Sequence, residues 1–168
     1  MCRETLSADQ GLLKLRSPCA SPVRSSRYLN VICQYCGAPA VLASFGSQGY
    51  QYREDCGTRW LCEVCQAWIG AYSRSTRNVP LGRLANAELR EWKAKLHAAL
   101  EPMAVTKARR DAISIFEARA KGYRWLANAL QIDEKACTIH QLDADQCRAA
   151  VGVIEQFGRS RLDHAPSA

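Results

Sequence analysis

Four of the nine cysteines in this 168-residue chain fall into two C-x-x-C pairs, Cys33-Gln34-Tyr35-Cys36 and Cys62-Glu63-Val64-Cys65, with 25 residues between them. A C-x-x-C knuckle turns its backbone so that both sulfurs address one centre. Two knuckles then offer four thiolates in a tetrahedron, the donor set that Zn²⁺ takes at Zn–S distances of about 2.3 Å. Gly37, just after the first pair, fits the tight backbone that such a knuckle needs. One C-x-x-C alone could serve thioredoxin-like redox chemistry, but two pairs flanking a strand-rich insert argue for metal. Disulfides are disfavoured because nothing in the sequence marks the chain for an oxidising compartment. Cys56 could compete as a ligand but has no knuckle partner. Cys147 falls on a helical core stripe and reads as a buried small hydrophobe. Cys2, Cys19 and Cys137 have no partner spacing and carry no assignment.

Four cysteine ligands, Cys33, Cys36, Cys62 and Cys65, saturate a zinc ion and leave no position for water or substrate. One Zn²⁺ per chain is therefore expected as a structural clamp and not as a Lewis acid. Apparent zinc binding of about 10–16 kcal/mol in finger peptides is enough to fold a segment too small to own a core. Four thiolates and one Zn²⁺ take the formal net charge from +7 to +5.

The elements that must hold these knuckles are short strands. Residues 28–77 are nearly neutral and contain eight of the thirteen aromatic residues, with turn residues at Gly46-Ser47-Gln48-Gly49. Strands are expected near Ala40–Ser44, Tyr50–Tyr52, Arg59–Leu61 and Trp68–Tyr72, the layout of a zinc ribbon. Around Asn78–Gly82 the pattern changes to helical periodicity. Asn86 is placed to cap a helix running to about Leu100, with Leu89, Trp92, Leu96 and Leu100 as its stripe and Pro102 marking its end. Thr106 is placed to cap a second helix toward Leu130. Gly122 would cost it about 1 kcal/mol, Arg119 would fall on its apolar face, and a break between Phe116 and Tyr123 would resolve the conflict. Asp143 and Gln146 form a capping-box variant for a last helix with Cys147, Ala150, Val151 and Ile154 as its core. The expected class is α+β: a four-cysteine zinc ribbon, as a small antiparallel sheet, followed by a compact three- to four-helix unit. The boundaries are a basic leader at 1–27 with a short helical stretch near Leu12–Leu15, the ribbon at 28–77, the helical unit at 78–157 and a polar tail at 158–168.

Cys33-Gln34-Tyr35-Cys36-Gly37-Ala38-Pro39-Ala40 through Trp60-Leu61-Cys62-Glu63-Val64-Cys65 resembles a bacteriophage and prophage family known as a zinc-finger-containing domain of unknown function. The likeness extends to Pro80–Arg90, His97-Ala98-Ala99, Tyr123–Ala127 and Leu142–Cys147, and covers roughly 30–157. The resemblance implies the zinc site and a phage or mobile-element origin, and supplies no reaction. Where the family pattern has a His-Ile-Gly run after Cys137, this chain reads Thr138-Ile139-His140.

No catalytic motif stands out. H-E-x-x-H, P-loop, G-x-S-x-G and dinucleotide glycine patterns are absent, and Glu91-Trp92-Lys93 matches a nuclease E-x-K only in letters, since it falls in a helix. Of the three histidines, His164 lies in the tail, His140 has no neighbour marking it as a base, and His97 pairs with Glu101 one turn on. A hydrolase or nuclease using His97 is the third reading, and the balance leans away from an enzyme. Asp143 and Asp145 read as helix-start residues.

Charge points elsewhere. Composition is ordinary globular, with 48% hydrophobic and 23% charged residues, and no apolar run spans a bilayer. The first thirty residues lack an apolar core, so no secretory signal is expected, and the chain reads as soluble and cytoplasmic. Residues 1–27 carry +3 and residues 78–135 carry +4. In a helix over 106–130, Lys107, Arg110, Lys121 and Arg124 share the face opposite the apolar stripe, with Trp125 at its margin. The ribbon adds Arg53, Arg59 and Trp60. Cations beside rings suit phosphates and unpaired bases, single strands better than a major groove, so the expected partner is nucleic acid or a nucleic-acid-handling protein. The alternative is a protein–protein adaptor using the aromatic ribbon face.

Overall fold

Strands form where the chain alternates around the second knuckle. The structure, a computed structural model, describes residues 29–50 and 52–163, with side chains through Ser160. The leader 1–27 and the short helical stretch expected in it, together with Cys2, Cys19, Tyr28 and His164, lie outside the described residues. Strands β1 (Val41–Ala43), β2 (Arg59–Leu61) and β3 (Trp68–Gly70) make one antiparallel sheet in the order β1-β2-β3. Ala43 pairs with Arg59 and Arg59 with Gly70. Period-2 alternation therefore sends Leu42, Trp60 and Ile69 to one face and Arg59, Leu61 and Trp68 to the other. The first face packs with Leu84, Cys33, Cys62 and Ala67 as the ribbon core. Tyr50 and Tyr52, expected in a strand, instead belong to the β1–β2 loop, whose rings lie across the second face. Ring contacts, and not ladder hydrogen bonds, hold them there.

Residues 80–85 run back along β3, with Leu81 N–H donating to Gly70 O at 2.9 Å and Ala85 N–H to Trp68 O at 2.9 Å. Leu84 packs into the ribbon core while Ala85 belongs to the helical one. This strap joins the two parts of the molecule. Gly82 makes it possible: a Cβ there would collide with the backbone carbonyl of His140, which also accepts from Arg83 N–H at 3.1 Å.

Helix α1 (Ala87–Asp111) begins as expected, with Asn86 Oδ1 accepting from Leu89 N–H at 2.9 Å. It does not end at Pro102. Leu96, Leu100 and Ala104 are buried on one face through that point, while Pro102 and Ala98, whose carbonyl loses its donor, are exposed. Water can satisfy that carbonyl, so packing outweighs a Pro penalty of about 3 kcal/mol. Thr106 is no cap; its Oγ1 donates to Pro102 O inside the helix. The break falls later, at Ala112, which takes a left-handed conformation (φ 52°) before Ser114 caps helix α2 (Ile115–Leu130). Ser114 Oγ accepts from Glu117 N–H at 3.2 Å. Ser114-Ile115-Phe116-Glu117 is a capping-box sequence that marks this start, and the apolar period alone ran past it. Helix α2 is continuous between Phe116 and Tyr123. Gly122 lies against α1, where a Cβ would stand 3.1 Å from Leu100 Cδ1.

Helix α3 (Ala144–Asp163) opens with the expected reciprocal cap: Gln146 N–H donates to Asp143 Oδ1 at 2.9 Å and Asp143 N–H to Gln146 Oε1 at 3.0 Å. It passes through Gly158, so part of the expected tail is helical. Cys147, Ala150 and Ile154 join Leu89, Leu96, Leu100, Leu126, Cys137 and Leu142 in the helical core. The architecture is α+β, a three-stranded sheet followed by three helices. Among the described residues no helix is long and apolar enough to cross a membrane.

Candidate metal centre

Both knuckles close through the same pair of backbone hydrogen bonds. In the first, Cys33 N–H donates to Ala38 O and Gly37 N–H to Cys33 O, each at 2.9 Å. In the second, Cys62 N–H donates to Ala67 O at 2.8 Å and Gln66 N–H to Cys62 O at 2.9 Å. The residue after each pair must turn left-handed; Gly37 (φ 72°) does so without a Cβ, and Gln66 (φ 56°) does so with one. Gln66 then bonds Glu63 O through its amide at 2.7 Å. The first knuckle precedes β1 and the second links β2 to β3, so the sheet fixes their separation.

Their sulfurs converge. Cys33 and Cys65 Sγ are 3.3 Å apart, Cys36 and Cys62 3.4 Å, and Cys36 and Cys65 3.8 Å, with all four within 4.8 Å of one another. A tetrahedron with arms of about 2.3 Å has edges of about 3.8 Å. Cys33 and Cys62 are buried, Cys65 is partly covered and Cys36 faces solvent. Backbone N–H groups favour thiolate here: the Cys65 N–H above all draws the Cys62 thiol down to about 7. Contact with the Cys33 sulfur, followed by burial, pushes Cys65 up to about 12. Four sulfurs this close repel as thiolates unless a cation sits among them, and a divalent ion with an all-sulfur donor set meets that need. The four cysteines thus form a closed structural Zn²⁺ site for one ion per chain.

The other described cysteines are not part of it. Cys56 is exposed, its N–H donating to the Tyr50 hydroxyl at 2.7 Å. Cys137 and Cys147 are fully buried in the helical core, and burial pushes the Cys147 thiol up to about 11.

The candidate nucleic-acid residues separate. Trp60, expected as a stacking ring, is 3% exposed and donates from Nε1 to Asn78 O at 2.7 Å; it is a core residue because its position on β2 faces Leu84. Arg59 is not a free cation. Its guanidinium lies 3.9 Å from the Tyr52 ring centroid and 4.5 Å from that of Trp68, and its Nε and Nη1 are buried without hydrogen-bond partners. This stack, which alternation on β2 and β3 hints at only by putting Arg59 and Trp68 on one face, was missed from sequence. Arg53 is exposed. Lys107 and Arg110 both pair with Asp111, at 2.6 and 2.7 Å, Lys121 pairs with Glu117 at 2.9 Å, and Arg124 with Glu134 at 3.4 Å.

Register brings a different set together. Because Ala43, Arg59 and Gly70 lie abreast, loops 44–58 and 71–79 leave the same end of the sheet, opposite the second knuckle. Phe45 and Tyr72, in these loops, are exposed, while the Tyr52 ring lies over Arg59 and Trp68. Arg53, Arg74 and Arg77 in these loops are exposed and have no acidic partner among the described residues. Arg74 and Arg77 escaped the sequence reading because only strand pairing shows that their loop leaves the sheet at the same end as loop 44–58.

Among the described residues, His97 and His140 show no catalytic grouping. His97 is exposed, with Nε2 3.9 Å from Glu101 Oε2, but Arg119 holds that carboxylate, Nε and Nη2 donating to its two oxygens at 2.9 and 2.6 Å. Arg119 is thereby accommodated beside the apolar stripe as a bridge from α2 to α1. His140 acts through its backbone carbonyl at the strap, and burial lowers its imidazole pKa. Glu91 pairs with Lys95 at 2.7 Å, while Lys93 turns inward to His140 O, so the E-x-K letters form no carboxylate–lysine site.

A search of curated proteins and a search of solved structures each found no match. The family model of a zinc-finger-containing domain matches residues 29–157, from just before the first knuckle to near the end of α3. That span takes in all four metal ligands, the strap and the three-helix core, and the chain belongs to this family of zinc-finger-containing domains.

Proposed function

We propose that the protein is a nucleic-acid-binding accessory protein in which zinc is a structural clamp and the ribbon end remote from the metal makes the contact. The observation that carries this reading is that the two loops leaving this end of the sheet bear exposed Phe45 and Tyr72 together with exposed Arg53, Arg74 and Arg77. Unpaired bases stack on such rings for about 1–3 kcal/mol each. Guanidiniums beside them meet phosphates and release counterions. Rings on loop tips suit a single strand better than a duplex, whose bases are already stacked. Lys107, Arg110, Lys121 and Arg124 stand on α1 and α2 and not on these ribbon loops, so they are not part of this contact. The family resemblance supports reading the setting as phage or prophage and the site of action as cytoplasmic.

The test is a salt titration of the zinc-loaded chain against labelled single-stranded DNA, duplex DNA and RNA. Affinity should fall steeply with log salt and favour a single strand. Arg74→Ala with Arg77→Ala should flatten the slope by about 0.7 per lost phosphate contact. Tyr72→Ala should weaken binding without changing the slope. Weak, salt-insensitive signals on all three polymers would reject this reading in favour of a protein adaptor using the same exposed rings.

A further inference from the structure

Between the C-terminal half of α1 and the facing side of α2 lies an open cavity of about 730 Å³. Its floor is small and apolar: Leu100 and Ala104 from α1, Ala118 and Gly122 from α2. Trp125 and Phe157 bound it, their ring centroids 5.3 Å apart. Among the described residues, every charged one that lines it is basic. Lys107 and Arg110 stand on the α1 bank and Lys121 and Arg124 on the α2 bank, spaced i, i+3 on each. Their carboxylate partners Asp111, Glu117 and Glu134 are not among the lining residues.

Shape and charge together select an occupant. The α1 lining runs from Leu100 to Arg110, about 15 Å along a helix axis, enough for about three turns of a second helix. An apolar floor gives a sugar–phosphate backbone nothing to bind, and the headgroup of a single fatty acid needs one cation cluster, not two banks. The leader 1–27 carries +3 and matches the rim in sign. We propose that the groove docks an acidic amphipathic helix of a partner protein, with apolar side chains at i, i+3, i+4 and i+7 on the floor and carboxylates toward both banks. This surface is separate from the ribbon end, and its test does not depend on nucleic-acid binding.

The experiment uses the zinc-loaded full chain labelled with 5-fluorotryptophan, its Trp125 resonance assigned by Trp125→Phe. The probe is a synthetic helical peptide with leucines in that pattern flanked by glutamates, against the same peptide with lysines. The glutamate peptide should shift the Trp125 signal saturably and leave Trp60 unmoved, and the lysine peptide should not. Combined Lys107→Gln, Lys121→Gln and Arg124→Gln should weaken binding about tenfold, with the fold checked by the unchanged Trp60 signal and zinc content. Thr106→Tyr, from an exposed lining position, should block the groove without touching the charges. No Trp125 shift, or equal shifts from both peptides, would overturn the proposal. So would displacement of the peptide by an oligodeoxythymidylate, saturation by laurate alone, self-association through Trp125, or binding that appears only once residues 1–28 are removed.

Discussion

Gln66 occupies in the second knuckle the place that Gly37 occupies in the first: both have positive φ and both donate N–H to the carbonyl of the leading cysteine of their pair. The two knuckles are near-copies in backbone, while only one keeps the glycine that such a turn prefers. The Gln66 amide bond to Glu63 O offsets part of the strain.

That relationship predicts unequal responses. Nothing lies within 4 Å of a Cβ at Gly37, so Gly37→Val isolates the backbone cost. It should destabilise the ribbon by about 1–2 kcal/mol, read as weaker zinc retention against a chelator. Gln66→Gly should hold zinc at least as well as the parent. Equal losses in both would mean that the turn conformation is not what limits the knuckles.

Metal content separates the ligands from the other thiols. Cys36→Ser or Cys62→Ser should lose the single bound zinc, and the buried Trp60 should then become accessible to a fluorescence quencher. Cys56→Ser and Cys147→Ser should keep one zinc per chain, the latter with lower stability because a hydroxyl replaces a fully buried thiol. Chelation of the parent should expose Trp60 and leave the helical signal in circular dichroism largely intact, since the helices own a separate core.

The strap supplies a third prediction. Gly82→Ala forces a methyl into the His140 backbone and should cost about 1–3 kcal/mol, measured by urea unfolding. Gly158→Ala, with open space around its position, should not destabilise.

Arg119 holds the Glu101 carboxyl below its ordinary value, chiefly by hydrogen bonding. A depressed carboxyl contributes stability above its unfolded pKa, near 4.5, and loses it as pH falls through the folded value. Urea midpoints should therefore be insensitive to this pair above pH 6 and decline below about pH 4.5. Arg119→Gln should lower the midpoint at pH 7, and the gap to the parent should narrow as pH falls below about 4.5.

What could be read from residues alone was what depends on neighbours in the chain. The ligand set rests on spacing inside each knuckle, and the Asn86 and Asp143–Gln146 caps rest on contacts three residues long. The sequence by itself determined these, because a thiol pair or a cap acts within one turn of backbone. Tertiary structure decided the rest. Helix α1 continues through Pro102 because buried Leu100 and Ala104 hold it on one side while water meets the freed carbonyl on the other. Trp60 is a core residue because β2 turns it toward Leu84, and Arg59 is clamped because loop 44–58 folds back over its face. The exposed rings and arginines at the ribbon end, and the basic-rimmed groove between α1 and α2, come from residues far apart in sequence. Strand register and helix packing bring them together, and neither is legible in local spacing.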